Sequence, residues 1–209
     1  NIFFAGQNIL DNRDSVWVVS MGHLIGLFDK NWLSIPASKK MTFLPYAEFH
    51  EVENNKIVQT AFYFDLPHLM SQIGLNPFNS ASGTNILQCA PLNHDGLYYK
   101  DQDLVGGKKT SQVIDSMIKI LGNWDCKLPL EKELSLSWHD DMIWWGPTGI
   151  GATYTIERYV KQHAGPFRSA FSNRKFNGHV CRVSEGNYGG FFGRPNLTLK
   201  LTANFMGIP

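Results

Sequence analysis

The sequence predicts an α+β protein built on antiparallel strands. Three observations carry this expectation. Residues 43–65 form two strand-like runs around Asn54-Asn55. Residues 16–28 and 188–201 are further apolar runs interrupted by glycine, as in a strongly curved sheet. The stretches 111–121 and 153–171 instead carry apolar residues at helical spacing.

In chain order, residues 2–5 (IFFA) and 16–28 (VWVVSMGHLIGLF) read as strands joined by the polar turn 11–14. Residues 43–52 alternate faces, Leu44, Tyr46, Glu48, His50 and Val52 against Phe43, Pro45, Ala47, Phe49 and Glu51. Asn54-Asn55 suits a tight hairpin, because asparagine tolerates positive φ. The partner strand runs from Lys56 to Asp65, with Gln59, Ala61, Tyr63 and Asp65 on one face. Pro67 and the stripe Leu66, Leu69, Met70, Ile73 predict a short helix ended by Gly74. Residues 76–110 read as a linker rich in proline, glycine and polar residues. A helix over 111–121 follows, then a short one over 130–137 and a strand ending at Trp145 before Gly146-Pro147. Thr153–Phe171 reads as a helix strained at Gly165-Pro166, and 179–183 and 188–201 as strands around Glu185-Gly186-Asn187.

Composition narrows the function classes. The chain has 209 residues, 43% of them hydrophobic and 13% aromatic, enough for a real core. Nineteen basic and 18 acidic side chains leave a formal charge of +1. Lys39-Lys40 and Lys108-Lys109 are isolated pairs, so no nucleic-acid footprint is expected. Cys89, Cys126 and Cys181 are widely spaced and odd in number, which argues against a zinc site or disulfide framework and for a reducing, cytoplasmic setting. No apolar run has the length of a membrane span, so no membrane partner is expected.

The candidate chemistry centres on Asp65. In apolar surroundings a carboxylate takes a raised pKa and serves as acid or base near neutrality. Asp65 with Tyr63, and Glu48 with His50 and Tyr46, are the candidates for lining a cavity. The alternative is that Asp65 only caps the helix that follows it. In the later half, Trp144 and His163 are candidate pocket residues or, alternatively, core packing. His23 and His179 read as structural. Asn196-Leu197-Thr198 is a formal glycosylation triplet that short sequences produce by chance.

Ser20–Pro36 and Gly193–Pro209 share a pattern: Leu24 aligns with Leu197, Asn31 with Asn204, Trp32 with Phe205, and Ile35-Pro36 with Ile208-Pro209. This suggests two copies of one module. The expected organisation is the C-terminal part of a first module over 1–78, a linker over 79–110 and the N-terminal part of a second over 111–209. The two parts are expected to complete each other within or between chains.

The run from Gly22 to Leu75 resembles the SnoaL-like polyketide cyclase family. The likeness rests on the Trp32–Pro36 turn, the hairpin at Glu48-Phe49 and Lys56-Ile57-Val58, and Asp65, Leu69, Gln72 and Gly74 at its close. His139–Met142, Trp144–Gly151 and Gly165–Phe171 resemble the front of the same module. The resemblance implies a cone-shaped, curved antiparallel sheet wrapped around helices, in the nuclear transport factor two superfamily, with a deep pocket and frequent dimerisation through the sheet. It implies Asp65 as acid–base residue, assisted by His50, acting without metal or organic cofactor on a carbonyl compound. Ala61 stands where the family often has a large residue, which enlarges the pocket. The functional expectation is an apolar pocket for a small apolar or carbonyl-containing molecule. It is either a site of cofactor-free acid–base catalysis or a non-catalytic binding or dimerisation module, in a chain expected to form a homodimer.

Overall fold

The computed structural model describes residues 1–13, 15–78, 81–85, 91, 93–122 and 127–207. The architecture is α+β with antiparallel sheets. Strands β1 (Ile2–Gln7), β2 (Val16–Leu27), β3 (Met41–Glu53) and β4 (Lys56–Phe64) form one four-stranded sheet in chain order. The β3–β4 turn falls at Asn54 and Asn55, whose φ values of 49° and 58° are the left-handed conformation that asparagine accepts.

Register decides which side chains face the core. Phe4 pairs with Val19, Val19 with Phe49 and Phe49 with Ala61, so all four emerge on one side. They pack with Trp17, Cys181, Val183 and Phe192 into the main core. Cys181 and Val183 belong to β8 (Cys181–Glu185), and Phe192 to β9 (Tyr188–Phe192), a hairpin turned at Gly186-Asn187. The two ends of the chain therefore bury one another's apolar faces within a single molecule. Glu51 shares the core face and is 2% exposed, and Arg13 pairs with it at 2.6 Å.

Polar clasps reinforce this union. Asn8, 4% exposed, accepts from the Arg182 N–H at 3.0 Å and donates to the Val180 carbonyl at 3.0 Å. The Glu185 carboxylate accepts from the Ala5 N–H at 3.0 Å and the Gln102 N–H at 2.9 Å.

Helix α1 (Leu66–Gln72) follows β4. Helix α2 (Leu104–Gly122) begins inside the stretch that reads as linker. Asp103 caps it, accepting from the N–H groups of Val105 and Gly106. Gly106 and Gly107 do not break the helix but let it approach the β8–β9 turn. A Cβ on Gly107 would lie 3.3 Å from the Ser184 carbonyl oxygen.

Helix α3 (Leu130–Leu134) and the short pair β5 (Ile143–Trp145) and β6 (Ala152–Tyr154) come next. Thr153 and Tyr154 are thus strand where helix is expected, and Thr155, at φ 69°, caps the helix that follows. That helix is α4 (Ile156–Tyr159), a wide π turn over Val160–Ala164, and α5 (Gly165–Ala170). The wide turn sits just before Pro166, which has no N–H to donate and whose ring crowds the preceding turn. Strand β7 (Phe171–Phe176) pairs with β10 (Leu197–Leu201). The expected long strand over 188–201 is broken into β9 and β10 by the turn 193–196.

The two turns aligned in sequence also share backbone form. Leu33 and Ser34 have φ of 50° and 63°, and Met206 and Gly207 have φ of 57° and 80°. Asn31 Oδ1 accepts from the Ala37 N–H and Asn204 Oδ1 from the Gly207 N–H. Among the described residues no helix is long and apolar enough to cross a membrane. Cys89 and Cys126 and the end of the second turn, Ile208-Pro209, lie outside the described residues.

Candidate functional site

The hairpin candidates separate by register. Tyr63 pairs with Ala47 and continues the Ala61 face, where its ring lies 6.2 Å from that of Phe192. Asp65 follows on that face, its N–H donating to the Pro45 carbonyl. Tyr46, Glu48 and His50 point to the other side, paired with Phe64, Phe62 and Thr60. There the Tyr46 and Ser20 hydroxyls are 2.9 Å apart. His50 Nδ1 meets Thr60 Oγ1 at 2.9 Å and Nε2 meets Glu48 Oε2 at 3.2 Å. The structure does not bring Asp65 and His50 into one site.

Both Asp65 oxygens are engaged by backbone. Oδ1 accepts from the His68 N–H at 3.1 Å, capping α1, and Oδ2 accepts from the Thr148 N–H at 2.8 Å. The cleft beside it, about 40 Å3, is lined by His68, Asn85, Trp145 and Thr148. That is close to the room one or two waters need.

A larger cavity, about 230 Å3, lies between α2, the α4–α5 stretch and strands β7, β9 and β10. Ile118 and Leu121 of α2 and Leu134 of α3 supply aliphatic wall. Tyr159, Phe167, Phe176 and Phe191 supply aromatic wall. The i, i+4 spacing of Tyr159, His163 and Phe167 puts all three on one helix face. His163 lines the cavity, and Trp144 stacks behind it, ring centres 4.6 Å apart and nearly parallel at 11°. Tyr159 approaches the same imidazole edge-on at 5.4 Å. Of the residues the sequence singles out, this is where Trp144 and His163 come together.

The electrostatics are those of a dry, neutral site. Burial pushes His163 down to about 4, so the ring is uncharged near neutrality, and it pushes the Tyr159 hydroxyl up to about 12. Arg168 also lines the cavity, and its guanidinium faces Glu133 at 3.2 and 3.5 Å, with side chains only 17% and 8% exposed. That two-pronged geometry neutralises both charges in place. His179 accepts at Nδ1 from Arg182 Nε at 2.8 Å and stacks on Phe191 at 4.6 Å, while Arg182 pairs with Asp115 at 2.6 Å. Burial, and then the Arg182 charge, lower its pKa as well.

Two polar atoms in the cavity wall are buried and find no hydrogen-bond partner among the described residues: His163 Nδ1 and Asn196 Oδ1. Sequence reasoning missed Asn196, which drew notice only as part of a glycosylation triplet. It also missed Glu133, Arg168 and His179. Their one shared signal is polarity within apolar segments, and nothing local says that these segments converge. Among the described residues no group of three His, Cys, Asp or Glu side chains is placed to hold a metal ion.

A neutral imidazole whose conjugate acid has a pKa near 4 is a weak base but a competent hydrogen-bond partner. The arrangement therefore suits holding a neutral molecule better than abstracting a proton from it. Compared with known proteins, the chain matches no family model, no curated protein and no solved structure.

Proposed function

We propose that this chain is a small-molecule-binding protein that takes a largely apolar guest into the cavity beside His163. One observation carries the reading. A space of about 230 Å3 with aromatic walls contains two buried polar atoms, His163 Nδ1 and Asn196 Oδ1, that lack partners among the described residues. Concave apolar sites with a few fixed polar groups are the usual form of small-ligand sites. Buried polar atoms left without partners are costly, and a guest that satisfies them recovers that cost.

Binding is favoured over acid–base catalysis by Asp65. Catalysis asks that carboxylate to release two backbone amides, at 3.1 and 2.8 Å, whereas binding at His163 disturbs neither. The scaffold we propose is the SnoaL-like one, two related modules each present in part around a cone-shaped sheet. Its support is the motif likeness and the matching backbone of the turns at Leu33-Ser34 and Met206-Gly207. The same reading pairs the chain with a second copy through the outer sheet face. Phe62, Phe64 and Trp32 are 42%, 38% and 39% exposed there.

A titration with ethylbenzene and 4-ethylbenzaldehyde, followed by two-dimensional NMR, tests the binding reading. Saturable shifts are expected at the amides of Leu121, Ala164 and Phe191, which line the space. Ala164→Phe, which fills it, should abolish them. Linear, non-saturating shifts with both compounds would sink the reading.

A further inference from the structure

We propose that the cavity beside His163 selects neutral, hydroxyl-bearing aromatic molecules of one ring and a short tail, that is, small phenols, over carbonyl compounds and carboxylates. This deepens the binding reading above and rests on it.

Size comes first. An apolar cavity of about 150 Å3 takes benzene, so on that scale about 230 Å3 takes about nine non-hydrogen atoms. That excludes fused multi-ring guests. Shape comes next. Tyr159, Phe167, Phe176, His179 and Phe191 present ring faces and edges to the space, and a flat aromatic guest meets such walls in the offset and edge-on arrangements that rings prefer.

The polar atoms set the functional group. Asn196 Oδ1 is an acceptor and calls for a donor from the guest. His163, uncharged because burial holds it near 4, either donates or accepts at Nδ1 according to its tautomer. A hydroxyl both donates and accepts, so it satisfies either tautomer and either orientation of the Asn196 amide. A carbonyl cannot donate and leaves Asn196 Oδ1 unmet. An N–H donor cannot serve a His163 that also donates.

Charge excludes the remaining class. The cation in the wall, Arg168, is already neutralised by Glu133, whose side chain is 8% exposed. A carboxylate guest would bring a second anion beside Glu133 into an apolar space, and its lost hydration would go uncompensated.

Isothermal titration calorimetry on the intact protein near neutral pH decides the matter, with ethylbenzene, 4-ethylphenol, 4-ethylbenzaldehyde and 4-ethylbenzoate as probes. The expected result is that 4-ethylphenol binds about ten-fold tighter than ethylbenzene or the aldehyde, the worth of one hydrogen bond otherwise left unmade. The benzoate should show no heat of binding. Asn196→Leu should erase the phenol advantage while ethylbenzene still binds, and His163→Phe provides a second variant should the first fold poorly. Equal affinity for ethylbenzene and 4-ethylphenol overturns hydroxyl selection and leaves the binding reading standing. A phenol advantage that survives in both variants overturns it too. Heat with none of the four overturns both.

Discussion

Asp65 and Thr148 are joined by a hydrogen bond of 2.8 Å, from the Thr148 backbone N–H to Oδ2, that ties the end of β4 to the loop after β5. The other oxygen caps α1 through the His68 N–H. Asp65→Ala removes both acceptors at once. A lost cap costs about 1 kcal/mol and a buried donor left unmet about 1–3 kcal/mol, so a loss of roughly 2–4 kcal/mol is expected. Asp65→Asn keeps one oxygen acceptor and should cost less. Urea unfolding measures both, and equal stability of wild type and Asp65→Ala would contradict the role.

The Glu133–Arg168 pair is the second element to probe. It lies in the cavity wall with both side chains mostly buried. Removing one charge strands the other, so Glu133→Gln should destabilise by about 3–5 kcal/mol. The double replacement Glu133→Leu with Arg168→Met should recover much of that loss, because apolar packing replaces a desolvated pair. Thermal unfolding of the three proteins gives the comparison. A double variant less stable than Glu133→Gln would count against this account.

Stability should depend on pH through His163. Its ordinary value of 6.5 falls to about 4 in the fold because burial disfavours the charged ring. Between those values the unfolded chain binds the proton and the folded chain does not, so acidification favours unfolding. The contribution is fully present above pH 6.5 and is lost as pH falls toward about 4, a change on the order of 3 kcal/mol before discounting for partial exposure. His163→Phe should flatten the stability profile across that window. Parallel profiles for variant and wild type would refute the assignment.

Pairing of two copies through the outer sheet face has its own test. Phe62 and Phe64 sit side by side on that face, ring centres 5.4 Å apart, with Trp32 at 5.6 Å from Phe64. Light scattering of the wild type should give about twice the 23.6 kDa chain mass. Phe62→Ser with Phe64→Ser should return it to a single chain mass with little change in unfolding temperature, because these side chains are already exposed. A wild type that runs as one chain at high concentration excludes this mode of pairing.

The hairpin was legible in the sequence because its signals are local. Asn54-Asn55 can be read as a left-handed turn, and the alternation from Phe43 to Asp65 fixes the faces without further information. The cap role of Asp65 was legible for the same reason, since Pro67 and the apolar stripe follow it directly. The short strands at 143–145, 152–154 and 171–176 were not, because three to six residues carry too little periodicity and each pairs with a segment chosen by tertiary packing. The cavity was legible only at His163. Its wall draws on Ile118, Leu134, Phe176 and Asn196, which no spacing rule connects. The helix over 104–110 was hidden by Gly106-Gly107, which serve close packing on β8–β9 rather than a break.

The clasps made by Asn8 and Glu185 bear on how the molecule holds together once cut. Each reaches across the length of the chain, from β1 to β8 or to the residues just before α2. Peptide continuity between Gly74 and Asp103 is therefore not what keeps the N-terminal sheet on the β8–β9 hairpin. A protease nick there should yield two polypeptides that co-elute, and fragments made separately should find each other and regain the shared interior around Trp17 and Cys181.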